Sequence, residues 1–420
     1  MKNVLRPIFC ASIMALFMTS CQNESSNENI QEIEPVAVIN DSNIIPGQYI
    51  VVFKETKITP ALKLKSKSNF SSRNAKAETI EKVSKNVIKK INTILDKSNV
   101  DQSNVLNYYT TEISGVAIKL SDKEYKQLSK NENVDYIEFD RKIELPKVDI
   151  ENITKANVSQ RARQTTPCGI NNAGGSTDGS SKRSLIWIID TGIDLDHPDL
   201  NVAVNLGRSF IDRSPDDCNG HGTHVAGTAA AKNNGFGVVG VSAGARVVPI
   251  KVLNCNGIGS VSSILAGINY VGRYARPGDV VNMSLGGYTG ANCSTRTPYK
   301  SAVKTLANSG AYVAIAAGNS SDDASKYGPA CINGDRIYTV ASMTCNRSFS
   351  WFSNYNMNPV DLIATGSDVY STYLNGGYAT LGGTSMAAPH VAGIMHSRGG
   401  APRTSGYVYS RGERYPIAVR

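Results

Sequence analysis

The sequence predicts an α/β protein in which a small α+β domain precedes a larger domain built on a doubly wound, mostly parallel sheet. Two apolar runs, at 185–189 and 312–317, predict the larger domain, because they are continuous, as in strands buried on both faces of a parallel sheet. A change in composition predicts the smaller domain. Lys and Glu are abundant over 45–145, whereas Glu413 is the one glutamate beyond residue 164.

The smaller domain is expected to contain a strand, a helix and two further strands. The segment 47–54 alternates between apolar and polar residues, which predicts a strand with one buried face. Isoleucine and valine recur at helical spacing over 78–94, which predicts an amphipathic helix. Short apolar runs at 116–120 and 134–138 predict the remaining strands.

Three residues at the ends of elements in the larger domain form a candidate catalytic set. Asp190 follows the strand 185–189, His221 opens a helix rich in Ala and Val, and Ser385 begins a helix of small residues at 386–395. A serine hydroxyl becomes a nucleophile when a neighbouring base takes its proton, and a histidine oriented by a buried carboxylate is such a base. The start of a helix also favours the negative charge that develops near the serine.

Each of these motifs has another interpretation when it is taken alone. Asp190-Thr191-Gly192 resembles the motif of aspartic proteases, which need two copies where this sequence has one. His221 and His224 are spaced as a metal pair, but no glutamate completes a His-Glu-x-x-His zinc motif. The motif around Ser385 can simply start a helix. The occurrence of all three in one chain favours catalysis.

Asn319 ends the apolar run 312–317 after a glycine and is a candidate oxyanion donor. A side-chain amide at a strand end is neutral and is positioned before charge develops on the substrate. The alternative for Asn319 is a residue that only caps a turn.

These motifs, with Asn-Met-Ser-Leu-Gly-Gly at 282–287 and Ala-Ala-Gly-Asn at 316–319, resemble those of the subtilisin-like serine proteases, the subtilases. Within that family they are most similar to the secreted bacterial branch of the proteinase K type. The resemblance covers roughly 164–396 and includes the Asp, His, Ser order of subtilisin. It implies a triad of Asp190, His221 and Ser385, with Asn319 and the Ser385 amide forming the oxyanion hole.

The resemblance also implies two segments that bind an extended substrate as a strand between them. Glycine suits such segments, because recognition through main-chain hydrogen bonds requires a close approach of two backbones. The same two segments, together with Ala316, Ala317 and Gly318, are implied to form the wall of the specificity pocket. The implied substrate-binding residues are Gly257, Ile258, Gly259, Ser284, Leu285, Gly286, Ala316, Ala317 and Gly318.

Residues 45–145 resemble the inhibitory pro-domain of this family, which has a ferredoxin-like α+β fold. The resemblance implies that this domain assists folding, inhibits the protease within the same chain, and lays its C-terminal tail in the cleft. Large secreted proteases are kinetically stable, so help across a folding barrier has a physical basis. Processing is expected in the linker 146–163, leaving a catalytic domain of 164–420. An unrelated binding module is the alternative for 45–145.

Residues 1–21 have the features of a signal peptide. Lys2 and Arg6 precede an apolar run at 8–18 that is too short to span a membrane. Cys21 follows small residues, as at a bacterial lipoprotein cleavage site. Secretion is therefore expected. The alternative is an exported lipoprotein that stays attached to the outer membrane through a lipid on Cys21. Residues 22–44 form a polar linker.

A structural calcium ion is expected, because 230–238 resembles the calcium loop of subtilisins and Asp199 matches the carboxylate that completes that site. Ca²⁺ prefers oxygen ligands, which side chains and carbonyl groups both supply. A plain turn at 233–235 is the alternative. The implied ligands are the side chains of Gln164, Asp199 and Asn234 and the carbonyl groups of Lys232, Phe236 and Val238.

Six of the eight cysteines lie in the larger domain, and an even number in an exported protein predicts disulfides. The residues alone leave the pairing open, and the resemblance implies Cys218–Cys255. At 398–420 two turn signals, Gly399-Gly400 and Ser405-Gly406, accompany short apolar runs. This pattern predicts a hairpin in place of the terminal helices of the family.

Charge and motifs exclude two other classes of function. The net charge of +9 includes the lysine-rich smaller domain, and no basic–aromatic interleaving points to nucleic acid. No Gly-x-Gly-x-x-Gly motif follows an early strand, which argues against dinucleotide binding. The predicted function is a secreted, monomeric serine endopeptidase that cleaves polypeptides and is made as a self-processing precursor. A catalytically silent binding protein of the same fold is the alternative, although it would need none of the four catalytic residues.

Overall fold

The computed structural model describes residues 42–65, 69–145, 151–154, 163–290 and 297–420, with 151–154 described by their backbone alone. The predicted signal peptide 1–21, nearly all of the linker 22–44 and most of the linker 146–163 lie outside these residues. Across the described ranges, no helix combines the length and the hydropathy needed to cross a membrane.

The N-terminal domain packs a long helix against an antiparallel sheet. The helix begins at a cap formed by Ser72 and buries Val87 and Ile91 against Phe53, so the helix predicted over 78–94 is confirmed and extends further at both ends. The strands of this domain are β1 (Ile44–Phe53), β2 (Val105–Tyr109), β3 (Gly115–Lys119) and β4 (Val134–Glu144), and its helices are α1 (Ala61–Leu64), α2 (Arg73–Lys97) and α3 (Asp122–Ser129).

Strand β1 differs from its prediction, because both of its faces are buried. Val51 and Phe53 pack beneath α2. Ile50 and Val52 instead join a core cluster of the larger domain. The one-sided burial expected at 47–54 was therefore wrong, since the domain uses the second face of its sheet to dock on the rest of the chain. Strand β2 and helix α3 were not predicted.

The larger domain carries the remaining helices and strands. Its helices are α4 (Cys168–Asn172), α5 (His221–Ala230), α6 (Val261–Tyr274), α7 (Pro298–Asn308) and α8 (Thr384–Arg398). Strand β5 (Glu151–Thr154) lies in the linker between the two domains. The strands of the larger domain are β6 (Thr177–Asp178), β7 (Ile186–Asp190), β8 (Asn201–Val202), β9 (Arg208–Ser209), β10 (Ser242–Ala243), β11 (Arg246–Lys251), β12 (Ile258–Ser260), β13 (Val280–Met283), β14 (Gly287–Tyr288), β15 (Tyr312–Ala316), β16 (Tyr327–Gly328), β17 (Ile337–Met343), β18 (Val360–Thr365), β19 (Val369–Tyr373), β20 (Gly377–Leu381), β21 (Arg403–Ser410) and β22 (Glu413–Val419).

The main sheet is parallel and covered on both faces. Its order is β21-β22-β18-β17-β15-β13-β7-β11-β8, with β9 also beside β11, and among these described strands β21 and β22 form the antiparallel pair. Trp187 and Ile189 of β7 pack with α6 and α7, whereas Ile186 and Ile188 pack with α5 and α8. The predicted doubly wound α/β class is confirmed.

The C-terminal hairpin is confirmed, but its turn lies elsewhere than predicted. The chain reverses at Arg411-Gly412, where both residues have positive φ. Ser405-Gly406 lies inside β21, where the register shifts against β22, so it forms an irregularity in the strand rather than the turn. Strand β22 pairs in parallel with β18 and thereby extends the main sheet.

Disulfides join distant loops of the larger domain. The implied Cys218–Cys255 pair is confirmed, with an S–S distance of 2.02 Å. Cys168 pairs with Cys345, which ties α4 to the loop after β17 and which the sequence left open. Cys331 is also disulfide-bonded.

Candidate active site

Two neighbouring parallel strands bring the candidate catalytic residues to one edge of the main sheet. Asp190 is the last residue of β7, and Ser284 follows directly after β13. The two strands are paired, so their carboxyl ends meet at the same edge, where sites of parallel sheets form. Ser284 in turn binds Ser385 at the start of α8, through Ser284 Oγ and Ser385 O at 2.7 Å.

Asp190 and His221 form a buried hydrogen-bonded pair. His221 Nδ1 lies 2.7 Å from Asp190 Oδ1, and neither side chain is more than 4% exposed. The close approach of α5 depends on glycine, because a Cβ on Gly222 would overlap the carbonyl oxygen of Gly192. Gly222 N also donates to Thr191 Oγ1 at 2.9 Å, which fixes the start of the helix on the turn after Asp190.

A second carboxylate, that of Asp217, affects His221. Burial alone lowers the pKa of His221, but the charge and hydrogen bond of Asp190, together with the charge of Asp217, raise it above its ordinary value. Asp217 is itself buried and accepts hydrogen bonds from the backbone of Gly220 and from both N and Oγ1 of Thr223. It therefore anchors the first turn of the helix that carries His221.

Ser385 lies in the first turn of α8 and is 5% exposed. Its hydroxyl donates to Ser284 O at 3.1 Å. Helices α5 and α8 pack on the same face of the sheet, so Ser385 and His221 begin neighbouring helices at one edge. Catalytic hydrogen bonds are often loose without substrate, so rotation of the Ser385 hydroxyl toward His221 is compatible with this geometry.

Asn319 follows β15 and is held by Thr384. Its Oδ1 accepts from Thr384 N at 2.8 Å and from Thr384 Oγ1 at 2.7 Å. Its Nδ2 is turned toward Gly383, where it lies 3.0 Å from the position that a Cβ would occupy. Gly383 has a φ of 152°, which L side chains rarely adopt. The amide thus points at the start of α8 beside Ser385, as an oxyanion donor requires.

The end of the N-terminal domain lies on the predicted substrate strand. Strand β4 pairs antiparallel with β12, with Ile143 opposite Gly259 and Glu144 opposite Ile258. Leu145 N then donates to Gly257 O at 2.9 Å. Gly257, Ile258 and Gly259, which were predicted to bind one side of a substrate, therefore already pair with the C-terminal tail of this domain.

The other predicted substrate residues divide into two groups. Ser284 is fully buried and acts behind the cleft through its bonds to Ser385. The rest line a cleft of about 340 Å³ that also contains Ser385 and Asn319 and is bordered by Ile143 and Glu144. These lining residues are Leu285, Gly286, Ala316, Ala317 and Gly318.

The implied calcium ligands come together, apart from one. Asp199 Oδ2 accepts from Val238 N at 3.0 Å, and Asp199 Oδ1 accepts from Asn234 Nδ2 at 2.9 Å. Gln164 Nε2 lies between the carbonyl oxygens of Lys232 and Val238, at 3.1 and 3.4 Å. Burial raises the pKa of Asp199 to about 6. A buried carboxylate with two carbonyl groups converging nearby suits a hard cation.

Phe236 is the exception among these residues. Its backbone N–H donates to Asn234 Oδ1, and no contact places its carbonyl group at the loop centre within the described chain. Asn234 also turns its Nδ2 toward Asp199, so its amide would present oxygen to an ion only in the other orientation.

Sequence reasoning missed the residues that support the candidate set. Asp217 lies four residues before the helix that begins at His221, and Thr384 is the first residue of α8. Polar residues are common at such positions, so nothing in the sequence distinguishes these two. Lys251 is a third such residue: it is fully buried, and its Nζ donates to Thr191 O at 2.7 Å. The catalytic roles of Asp190, His221, Ser385 and Asn319 stay predictions that this geometry permits.

Comparison with known proteins indicates the same class of protein as the geometry of the site does. The profile of the Subtilase family matches residues 181–396, and that of the Peptidase inhibitor I9 family matches residues 48–146. A charge-paired histidine and a serine at the carboxyl edge of a parallel sheet, below a strand from an inhibitor-like domain, define the class as a serine protease with a pro-domain. The chain belongs to the subtilase family.

Relatives at about one-third identity support this assignment. An extracellular serine proteinase of Thermus sp. (strain Rt41A) is 32% identical over 90% of this chain and 86% of its own length. A subtilisin-like protease of Coccidioides posadasii is 32% identical over 92% of this chain and 88% of its own length. Alkaline serine exoprotease A of Vibrio alginolyticus is 34% identical over 84% of this chain, which spans 60% of the Vibrio protein.

Proposed function

We propose that this protein is a serine endopeptidase, made as a precursor that its own N-terminal domain inhibits. The observation that carries the proposal is the Asp190–His221 hydrogen bond at the sheet edge that also holds Ser385. Burial of a carboxylate and an imidazole costs desolvation free energy, and a protein that only binds a partner gains nothing from this pair in return.

The chemistry follows from the positions of these groups. Ser385 Oγ attacks the carbonyl carbon of the scissile bond, while His221 Nε2 takes the hydroxyl proton. Asp190 holds the N–H at Nδ1 of His221, so Nε2 is the basic nitrogen. His221 then gives the proton to the leaving nitrogen as the C–N bond breaks, which leaves an acyl group on Ser385. A water deprotonated by His221 hydrolyses this ester and restores the serine hydroxyl.

The negative charge of the tetrahedral intermediate is stabilised by two N–H donors, Asn319 Nδ2 and the Ser385 backbone amide. Both are fixed before the reaction begins, one by Thr384 and the other by α8, so no reorganisation is needed when charge develops.

The pairing of β4 with β12 supports inhibition by the N-terminal domain, because a substrate strand and β4 compete for the same backbone groups of Gly257 and Gly259. We propose that the first cut in the precursor falls between Leu145 and Glu151. Leu145 ends the segment on β12, and Glu151 begins a strand on β20, which leads into the segment that carries Ser385. Trimming toward Gln164 would follow.

Expression of the precursor and of a Ser385→Ala variant with calcium tests the proposal. We expect the parent protein to mature, as measured by intact mass, and to react at Ser385 with a fluorophosphonate. The Ser385→Ala variant should do neither, whereas Ser180→Ala, at an exposed serine, should behave as the parent does. A folded parent that stays full-length and unlabelled would favour the catalytically silent binding protein.

We also propose a structural Ca²⁺ held by Asp199, Gln164, Asn234 and the carbonyl groups of Lys232 and Val238. The ion supplies charge compensation for Asp199 and ties the start of the mature domain to the loop after α5. With autolysis prevented by Ser385→Ala, added calcium should raise the midpoint of thermal unfolding. An ion at 100 times its dissociation constant contributes about 2.7 kcal/mol. Asp199→Asn should abolish the gain, and Asp178→Asn, at an exposed carboxylate, should keep it. An equal gain in both variants would contradict the site.

Finally, we propose export, as for the extracellular serine proteinase of Thermus sp.. Lipidation of Cys21 is tested by palmitate labelling of cells that produce the parent or Cys21→Ala. Label confined to the parent supports a lipoprotein, and absence of label from both supports release into the medium.

A further inference from the structure

A buried carboxylate of the larger domain, that of Asp279, holds the guanidinium of Arg73 from the N-terminal domain. The Asp279 side chain is fully buried, and the Arg73 side chain is 15% exposed. Arg73 Nη2 donates to Asp279 Oδ1 at 2.6 Å, and Arg73 Nη1 donates to Asp279 Oδ2. Each nitrogen thus has its own carboxylate oxygen, which is the bidentate arrangement by which a carboxylate recognises a guanidinium.

Two backbone carbonyl groups complete the contacts of this guanidinium. Arg73 Nη1 also donates to Tyr274 O at 3.3 Å, and Arg73 Nη2 also donates to Arg183 O at 3.1 Å. Each of the two nitrogens therefore makes two hydrogen bonds, and all four acceptors belong to the larger domain. An ammonium group has three donors on one atom and cannot reproduce this planar fork. The larger domain thus presents a set of acceptors that fits a guanidinium.

The acceptors are held in place by the larger domain itself. Asp279 Oδ1 accepts from Leu185 N, and Asp279 Oδ2 accepts from Trp187 Nε1, each at 3.0 Å. Asp279 Oδ2 also accepts from Arg276 N at 3.0 Å. These donors lie at the start of β7 and in the loop after α6, so the position of the carboxylate does not depend on the N-terminal domain.

Removal of the N-terminal domain takes away the positive charge that Asp279 has in the precursor. Loss of one partner of a buried ion pair is unfavourable, because the remaining charge is left poorly solvated and uncompensated. Tyr274 is also the last residue of α6, and the C-terminal end of a helix favours a positive charge. Both effects favour the binding of another cation at this place.

We infer that Asp279, with the carbonyl groups of Arg183 and Tyr274, is a guanidinium-binding site, which arginine side chains of other polypeptides occupy once the N-terminal domain has left. The second part of this inference rests on the proposed processing. Helix α6 has 14 residues and begins directly after β12, so its last turn lies about 20 Å from that strand. The site is therefore separate from the catalytic cleft. Arg73 and an incoming arginine compete for it, so the ligand should also promote release of the cleaved N-terminal domain.

Chemical rescue in the full chain tests the site without any cleavage. In the Ser385→Ala background, Arg73→Ala removes the side chain beyond Cβ, and ethylguanidinium has the shape of the part removed. We expect Arg73→Ala to lower the midpoint of thermal unfolding, and millimolar ethylguanidinium to restore part of that loss in a concentration-dependent manner. Ethylammonium at the same concentration should restore nothing.

Two controls accompany this measurement. The chain that keeps Arg73 should respond to neither cation, because its site is filled. Lys82→Ala, at an exposed lysine of the same helix, should also show no response. Equal effects of ethylguanidinium and ethylammonium on Arg73→Ala would overturn the inference.

The processed enzyme, inactivated at Ser385 by the fluorophosphonate, tests occupancy by arginine side chains. N-acetyl-arginine methylamide should raise its midpoint of thermal unfolding, whereas the lysine analogue should not. The full-length Ser385→Ala chain, whose site holds Arg73, should respond to neither compound. This comparison needs no substitution at Asp279, which is part of the core. Equal midpoints with the two compounds would overturn the occupancy by arginine.

These measurements separate the inference from the proposed function. If ethylguanidinium rescues Arg73→Ala but the parent never matures, the site is supported, while the proposed function fails and occupancy by other polypeptides fails with it. If the parent matures and cleaves peptides but neither experiment distinguishes guanidinium from ammonium, the protease function stands and the site is refuted.

Discussion

Thr384 determines which end of the Asn319 amide faces the substrate. Both of its hydrogen bonds go to Asn319 Oδ1, and its hydroxyl also accepts from Gly318 N at 3.0 Å. Removal of the hydroxyl leaves the Asn319 amide held by the backbone N–H of Thr384 alone, so its orientation is less well fixed. We expect Thr384→Val to lower kcat by about tenfold or more while KM changes little. The largest decrease in kcat to be expected is that for loss of the donor itself, which in subtilisin lowers kcat by about 10²–10³-fold.

The conservative variant separates positioning from packing at this residue. Thr384→Ser keeps the hydroxyl and should recover most of kcat, whereas Thr384→Val keeps the shape and should not. Steady-state kinetics on one short peptide measures both. Equal kcat in the two variants would show that the hydroxyl has no positioning role.

The charge of Asp217 should affect how the activity depends on pH. His221 acts as a base only when neutral, and its pKa is raised above the ordinary value in part by the charge of Asp217. Activity is therefore lost as pH falls through this raised pKa. Asp217→Asn removes the charge, so the pKa of His221 should fall and the acid limb of kcat/KM against pH should move to lower pH. Asp335→Asn, at a carboxylate whose side chain is 88% exposed, should leave the limb in place. An acid limb that stays or moves upward in Asp217→Asn would contradict this account.

The difference between residues that sequence identified and those that it missed has a physical cause. Asp190 ends one continuous apolar strand and Asn319 follows shortly after another, so the chain itself marks the sheet edge where both lie. His221 and Ser385 begin helices, which the sequence also marks. Thr384 and Lys251 act through contacts across the fold, with Asn319 and with the backbone of Thr191, and no local pattern encodes such contacts.

Among the elements, the C-terminal hairpin closes one end of the core. Tyr415 is fully buried, packs against the tilted ring of Phe349 with ring centres 4.9 Å apart, and accepts a hydrogen bond from Asn356 N at 3.1 Å. Tyr415→Ala should therefore destabilise the protein by about 3–5 kcal/mol. Tyr409 on the same hairpin is 73% exposed, so Tyr409→Ala should change stability by less than about 0.5 kcal/mol.

Both hairpin variants are best compared in the Ser385→Ala background by thermal unfolding at one scan rate, because autolysis is absent there. Similar midpoints for Tyr415→Ala and Tyr409→Ala would mean that the hairpin is not part of the cooperative core.

Elements were predictable where local pattern and burial agree. The strands at 185–189 and 312–317 are continuous apolar runs, and their bounds differ by one residue from those observed. The helix at 78–94 has a clear period, although the observed helix extends beyond it at both ends. Helix α3 was missed because it is short and buries Leu128 alone within the described structure. The turn at Ser405-Gly406 was wrong because glycine also occurs at irregularities inside strands.

At the scale of the whole molecule, the two domains meet through buried polar contacts as well as apolar ones. Arg73 at the start of α2 forms an ion pair with Asp279, which is fully buried and also accepts from Trp187 Nε1 at 3.0 Å. Asn269 of α6 accepts from the backbone of Thr110 and Thr111, at 2.8 and 2.9 Å. Such contacts fix one docking geometry, because a shifted interface would leave buried groups unpaired.

Glu112 is a buried carboxyl group at this interface. It packs against Gly272 of α6 so closely that a Cβ there would overlap Oε1, and Oε1 has no hydrogen-bond partner among the described residues. Burial raises its pKa to about 8, opposed by the charges of Lys76 on α2 and Arg273 on α6. Burial lowers the pKa of Lys76 to about 8, and its ammonium donates to Ala275 O.

These pKa values predict how docking of the N-terminal domain depends on pH. Glu112 holds its proton in the docked state up to about pH 8, whereas the solvated group releases it near its ordinary value of 4.5. Docking is therefore fully favourable below about pH 4.5 and is weakened progressively as pH rises toward 8. Above about pH 8 Glu112 is ionised in both states, so its effect levels off. Lys76 then has the opposite linkage: docking lowers its pKa to about 8, so a further rise in pH toward its ordinary value of 10.5 strengthens docking again.

Full-length Ser385→Ala provides the measurement, since it cannot cleave itself. Its midpoint of thermal unfolding should fall between pH 5 and pH 8, and Glu112→Gln in the same background should flatten that fall, because the amide has nearly the same shape but cannot ionise. Glu81→Gln, at a carboxylate whose side chain is 53% exposed, should keep the slope of the parent. If Glu112→Gln has the same slope as Glu81→Gln, ionisation of Glu112 does not control docking. If the slope disappears, rising pH loosens the inhibitor through one buried carboxyl group, and cleavage of the linker and release of the domain become steps that pH can separate.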